Sequence, residues 1–171
     1  MYSITLASRQ HLAALPGIEL AAASRFQGWL VPSFVFSEST PLERFALRQA
    51  SGHLWVALED DGRPAGFGMV EPHGSRLWLE ELDVLPEHCS RGVGSALVEE
   101  IARWAPASGF HEVVLTTYRD VPWNGPFYAK RGFEMVPPGQ LDTDLEARLR
   151  EEEARGLASM PRVAMRRLGA V

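Results

Sequence analysis

The sequence predicts a mixed α/β (α+β) fold, a mostly antiparallel central sheet of six to seven strands flanked by helices. Three observations predict it. Short apolar segments bounded by Gly, Pro, Asp and Ser alternate with segments whose apolar residues recur at helical spacing. Two of the apolar segments, 53–59 and 63–70, flank Asp60-Asp61-Gly62, and a third follows the turn Pro72-His73-Gly74-Ser75, so consecutive strands run antiparallel. The third of these leads through a glycine-bearing turn straight into a helix.

In chain order, Ser3 to Ala7 reads as a first strand. Helical periodicity runs from about Gln10 to Phe26 through Leu12, Leu15, Ile18 and Ala22, with Pro16 breaking it or opening its second part. Glu19 sits in this otherwise apolar stretch, either on a solvated face or as an acceptor-site carboxylate. Gly28 to Ser39 carries Trp29, Pro32, Phe34 and Phe36 without periodicity, a loop that either walls a pocket or is pinned to the core by its rings. Thr40-Pro41-Leu42-Glu43 predicts a helix start, with Thr40 as cap and Pro41 at the first helical position. That helix reaches about Ala50.

After the hairpin, Leu77, Leu79, Leu82 and Val84 form the next strand, which Pro86 stops. Ala96, Leu97, Ile101 and Trp104 mark a helix closed by Ser108-Gly109. His111 to Thr117 contains the continuous apolar run Val113-Val114-Leu115, which predicts burial on both faces. Loop, short helix, glycine stop and strand follow through Val136. Leu141, Leu145 and Leu149 at (i, i+4) spacing predict an amphipathic helix to Arg155 with a solvated charged face. Arg162 to Leu168 is the last strand. No internal repeat or linker divides the chain, so one domain over residues 1–171 is expected.

Chemistry concentrates at the strand-to-helix junction. The first amides of a helix lack internal partners, and the helix dipole places partial positive charge there. Gly92 and Gly94 allow close approach of a ligand, and Arg91 can add charge-assisted bonds, so a diphosphate suits the turn. Two glycines in an ordinary turn would read the same way.

Composition narrows the function. The chain has 171 residues and a net charge of -5, which argues against a general nucleic-acid binder. Cys89 is the single cysteine, which permits no internal disulfide and fits a reducing, cytoplasmic setting. Five scattered histidines lack paired ligand spacing, so no metal is expected. No apolar run spans a membrane and the N-terminus lacks a signal-peptide pattern.

The stretch from Leu82 through Cys89-Ser90-Arg91-Gly92-Val93-Gly94-Ser95-Ala96 to Leu97 resembles the acyl-CoA-binding motif of the GNAT acyltransferase superfamily, [Gln/Arg]-x-x-Gly-x-[Gly/Ala] after an apolar strand. Asn124 with Phe127-Tyr128-Ala129-Lys130-Arg131-Gly132-Phe133 resembles its Asn…Tyr-x-x-x-Gly-Phe segment. The pair occurs in the expected order. Three departures stand out: Cys89 occupies the usual [Gln/Arg] position, the loop from Tyr118 to Trp123 is longer than is typical, and Gly125-Pro126 is unusual in the short helix, whose start it obscures.

The resemblance implies an acetyl-CoA-dependent N-acetyltransferase with a primary-amine acceptor on a small molecule or peptide, and a sheet splayed between the strand ending at Val84 and the one beginning at His111. A non-catalytic acyl-CoA-binding module of the same fold is the alternative. Backbone of the Leu82-Asp83-Val84 segment would pair with the pantetheine arm. The turn of Ser90, Arg91, Gly92, Val93, Gly94, Ser95 and Ala96 would hold the pyrophosphate. Asn124 and Phe127 would contact the cofactor arm, and a homodimer is compatible with the family.

Tyr128 matches the superfamily tyrosine that protonates the leaving thiolate. Glu81 is the first choice for the base, with Thr116, Thr117 and His88 in reserve. Strict strand alternation puts Glu81 and Asp83 on one face and Glu80 with Leu82 and Val84 on the other, where Glu80 would need a buried partner.

Overall fold

The computed structural model describes residues 2–169. In chain order its elements are β1 (Ser3–Leu6), α1 (Leu15–Ala23), α2 (Leu42–Ala50), β2 (Leu54–Leu58), β3 (Pro64–His73), β4 (Arg76–Val84), α3 (Val93–Ala107), β5 (Glu112–Tyr118), α4 (Gly125–Ala129), β6 (Glu134–Met135), α5 (Thr143–Ala154) and β7 (Arg162–Leu168). The seven strands form one sheet in the order β1-β2-β3-β4-β5-β7-β6. Every neighbouring pair is antiparallel except β4 and β5, which are parallel.

The sheet is covered on both faces, which is why its central strands are apolar almost throughout. Trp55 and Ala57 of β2 face α3, with Leu97, Val98 and Ile101 opposite them. Leu54 and Val56 face α1 and α2, against Leu15, Ile18 and Phe45. Trp78 and Val114 pack instead with Leu145 of α5. Trp104 locks α3 onto the sheet, edge-on to Trp55 at 5.1 Å and stacked on Phe110. Burying side chains of this size contributes about 1.5–3 kcal/mol each.

Several sequence expectations need correction. The helix expected from about Gln10 to Phe26 is three pieces: a 3-10 turn over Arg9–Ala14, then α1 with Pro16 in its first turn, then a 3-10 turn over Ser24–Phe26. Thr40 does not cap α2. The helix begins at Leu42, and Thr40 donates its N–H and hydroxyl to Glu19. Leu141 precedes α5, whose cap is Asp142, accepting from the amides of Asp144 and Leu145.

Two irregularities shape the site. A bulge lies between β3 and β4: Met69 pairs with Glu81 but Val70 pairs with Leu79, leaving Glu80 as the extra residue. Strict alternation therefore fails at Glu80. Leu77 and Leu79 before the bulge, and Leu82 and Val84 after it, all face the α3 core, whereas Glu80 meets Arg44 and Arg48 of α2. The second irregularity is the parallel pair itself. β4 and β5 are in register only over Arg76–Trp78 and Glu112–Val114, and beyond that they separate while β5 stays paired with β7 to Tyr118.

Candidate active site

The separation of β4 from β5 opens a cavity of about 1050 Å³ that reaches from the glycine turn to α1 and α5. The bulge determines what β4 presents there. Glu80 is held at the rim by Arg48, whose Nε donates to Oε2 at 2.7 Å, and by Arg44. Arg48 also reaches Glu71 at 2.6 Å. Burial raises the Glu80 pKa, but the hydrogen bonds and charges of the two arginines outweigh it, so the group lies below its ordinary value. Glu80 is thus an anchored anion with the buried partner that its position demanded.

Glu81 and Asp83, two residues apart on one face of β4, line the cavity without such partners. Burial, and then the charges of Asp83, Glu19 and Glu80, push the Glu81 pKa well above the ordinary carboxylate value. Burial and the charge of Glu19 do the same to Asp83, whose Oδ2 is buried with no hydrogen-bond partner among the described residues. Glu19 completes a group of three carboxylates. Burial raises its pKa against the opposing hydrogen bonds from Thr40. Close, desolvated carboxylates of this kind hold a proton more tightly than free ones, which suits a general base.

At the other end of the cavity, α3 starts from Gly92 at φ +83, a left-handed conformation that L side chains rarely adopt. A Cβ on Gly92 would meet nothing within 4 Å, so the approach to the turn is open. Ser90, Gly92, Val93, Gly94 and Ser95 line the cavity there, whereas Arg91 and Ala96 are exposed and lie outside its wall. Cys89 turns its thiol toward the Val84 carbonyl at 3.8 Å.

Opposite the turn is Arg131. Its guanidinium lies over the Phe127 ring, 3.5 Å from the centroid, and donates to the Phe127 carbonyl and the Ser95 hydroxyl. Its Nε is buried without a partner among the described residues. Asn124 donates Nδ2 to the Thr117 hydroxyl at 2.6 Å and leaves Oδ1 buried and unpaired among the described residues. An open helix N-terminus, a guanidinium and an unpaired amide oxygen suit a ligand with a diphosphate followed by an amide-bearing arm.

Tyr128 sits between the two ends on α4, 8% exposed, with its ring edge-on to Phe127 and Phe133. Burial, and then the charges of Asp83 and Glu81, raise its pKa, so the hydroxyl stays protonated. The Gly125-Pro126 departure has a steric cause. α4 begins at Gly125, and a Cβ there would come within 3.0 Å of the Arg119 carbonyl oxygen.

Glu81, Leu82, Asp83, Val84, Asn124, Phe127 and Tyr128 share this one cavity. Of the reserve bases, Thr117 is engaged by Asn124, and Thr116 donates to Glu152. His88 is bonded to the Tyr2 hydroxyl at 2.7 Å. The charged face expected on α5 is only partly solvated. Glu152 is 9% exposed and accepts from Arg162 at 2.8 Å, turning toward the cavity. Sequence reading missed Arg131, which stands in the turn after α4 and folds its guanidinium back over the Phe127 ring, and it missed Glu152.

The acetyltransferase (GNAT) family model matches residues 23–133, and the chain belongs to that family. Its fold is similar to that of PaiA N-acetyltransferase from Thermoplasma acidophilum in complex with coenzyme A, at TM-score 0.74 and 17% identity over 98% of this chain and 99% of that one. It is similar also to the ribosomal-protein-S18-alanine N-acetyltransferase from Escherichia coli, at TM-score 0.69 and 16% identity over 100% and 96%. Nourseothricin acetyltransferase is 30% identical at TM-score 0.54, over 68% of this chain and 65% of that one.

Proposed function

We propose that the protein is an acetyl-CoA-dependent N-acetyltransferase that moves the acetyl group directly onto a primary amine, and that one domain over residues 1–171 carries the activity. The observation that supports this best is the continuity of the cavity, which joins the open helix N-terminus at Gly92 to the unpaired carboxylates Glu81 and Asp83. A module that only bound acyl-CoA would have no use for that carboxylate pair, whose burial disfavours its charged form.

The chain's residues divide the work. Amides from Gly92 to Ser95, with Arg131 beside them, receive the diphosphate. Asn124 Oδ1 accepts from the arm. β4 beyond Trp78 has free backbone groups facing the gap left by β5, and these are available to an extended ligand.

Acetyl-CoA supplies the activated carbonyl. The amine nitrogen bonds to it, the carbon–sulfur bond breaks, and the sulfur leaves as a thiolate that takes a proton. Glu81, made more basic by burial and by its carboxylate neighbours, accepts the proton the amine loses. Tyr128, kept protonated by the same surroundings, donates to the departing sulfur. Cys89 takes no part, because its thiol points at a β4 carbonyl and direct transfer needs no acyl-enzyme.

Calorimetric titration with acetyl-CoA tests the reading. Wild type should bind saturably, and Gly92→Glu, which sets bulk and negative charge at the turn, should not. Circular dichroism of the variant establishes that it is folded. Absence of binding to wild type would overturn the acetyl-CoA assignment. Release of free thiol with an amine panel then separates an enzyme from a binding module.

A further inference from the structure

The part of the cavity beyond the splay carries two sets of titratable or charged groups without ion-pair partners among the described residues. One set is the carboxylates Glu19, Glu81 and Asp83 on α1 and β4. The other is guanidinium groups that no carboxylate neutralises. Arg25 lies over the Trp123 ring at 4.3 Å from its centroid, and Arg155 over the Phe34 ring at 5.2 Å. Both line the cavity, and neither forms an ion pair with any described residue although several carboxylates share the space. Stacking on an aromatic face holds a guanidinium in plane and leaves its forked N–H edge available for a planar anion.

An independent observation marks the same wall as built for a ligand. Tyr118 is 4% exposed and lines the cavity, and its hydroxyl has no hydrogen-bond partner among the described residues. Arg162 lies over the same ring, 4.7 Å from its centroid; burial raises the Tyr118 pKa and this guanidinium acts on the hydroxyl to lower it, without making a hydrogen bond of normal geometry. Trp123 Nε1 is likewise buried and unpaired. Phe26 joins these groups into one surface, edge-on to Tyr118 at 5.6 Å and to Trp123 at 5.7 Å. A buried donor left unpaired is unfavourable, and an anion entering beside Arg25 would satisfy Trp123 together with that guanidinium edge, with Arg155 as a second, exposed cation on the same cavity.

We propose that the acceptor is an amine that also carries a carboxylate, its amino group directed to Glu81, Asp83 and Glu19 and its carboxylate to Arg25, Arg155 and the Tyr118–Trp123 wall. The inference rests on the acetyltransferase reading above and deepens it by naming the acceptor class. A purely cationic polyamine would satisfy the carboxylates but leave two guanidinium groups facing a like charge. A neutral amine would leave the anion wall empty.

The test is a thiol-release assay with saturating acetyl-CoA and a series of ω-amino acids of increasing chain length. Each is compared with its carboxamide and with the diamine of equal length. At the matching length the free carboxylate should exceed its amide by about tenfold or more in kcat/KM, the worth of one charge-assisted hydrogen bond. Arg25→Gln and Arg155→Gln should raise KM for the carboxylate and leave the amide and the Kd for acetyl-CoA unchanged. Titration of the matching N-acetylated product into the CoA complex should show the same loss in both variants, without turnover.

Equal or better activity with amides or diamines at every length would overturn this inference and leave the acetyltransferase reading standing. A protein that binds acetyl-CoA but releases thiol with no amine would overturn both.

Discussion

Gly125 is the position where a single methyl group tests the site most sharply. In Gly125→Ala the new Cβ would lie within 3.0 Å of the Arg119 carbonyl oxygen, with the Arg119 carbonyl carbon at 3.1 Å and its Cα at 3.3 Å. All three are backbone atoms, so no side chain can swing away. Either α4 moves or the 119–124 loop does. Overpacking of this kind costs about 1–3 kcal/mol, and reduced freedom of the unfolded chain offsets only ~0.4–1 kcal/mol of it. The net loss, up to about 2.6 kcal/mol, should lower the melting temperature of a chain of this size by up to roughly 10 °C.

The functional effect should exceed the stability effect, because Asn124 precedes and Tyr128 sits within the displaced helix. A shift of about 1 Å in a positioned group costs on the order of 10²-fold in rate. Gly17→Ala is the control. It lies in α1 with nothing within 4 Å of its Cβ, so it should stabilise by about 0.5–1 kcal/mol and leave turnover unchanged. Differential scanning calorimetry and a thiol-release assay read both variants. A Gly125→Ala protein that melts at or above wild type with unchanged kcat would refute the steric account of α4.

Three further outcomes follow from the charges of the site. Glu81→Gln should lower kcat by about 10²-fold or more, since the carboxylate that forms as pH rises through its raised pKa takes the proton the amine loses; turnover within a few-fold of wild type would exclude Glu81. The same variant should melt above wild type at neutral pH. A group whose pKa is raised by folding contributes most below its unfolded pKa and loses that contribution as pH rises through the folded value, whereas Gln cannot ionise. Tyr128→Phe should lower kcat by about 10²-fold with an unchanged Kd for acetyl-CoA, and normal turnover would remove Tyr128 from the mechanism.

Glu80→Gln should destabilise by about 2–3 kcal/mol at neutral pH by denaturant unfolding, less than the ~3–5 kcal/mol of a fully buried pair because Arg48 keeps Glu71 and Arg44 is half exposed. The Glu80 pKa lies below its ordinary value, so its contribution is present above that value and lost as pH falls through the lowered one. The gap between wild type and variant should therefore close in acid. A gap that persists there would refute the ion-pair account.

The hairpin turn at Asp60-Asp61-Gly62, the stop at Gly109 and the strand at Val113-Val114-Leu115 were legible because each depends on local chemistry: a positive-φ glycine, a cap, a doubly buried apolar run. The glycine turn with its following helix, and the Asn124 to Phe133 segment, were legible for the same reason, since amides at a helix start and residues one helical turn apart are neighbours in sequence. Strict alternation through Glu80 failed because a bulge is a relation between two strands, and only the register of Met69 and Val70 against Glu81 and Leu79 reveals it. Thr40 was misread as a cap because the carboxylate that takes its N–H lies 21 residues earlier.

Sequence by itself determined the class of fold, the order of most of its elements and the glycine turn from which α3 starts, all of which rest on periodicity and short-range geometry. Tertiary structure alone decided which charges stand unpaired. Glu80, Glu81 and Asp83 are near neighbours in β4, yet Glu80 meets two arginines from α2 while Asp83 keeps a buried oxygen without a partner among the described residues. Glu152 of α5 turns inward to Arg162, and Arg25 and Arg155 rest on aromatic rings from other parts of the chain. The physical reason is that ionisation and pairing depend on burial and on distances across the fold, and those are fixed only when β4 and β5 part and the helices close around the gap.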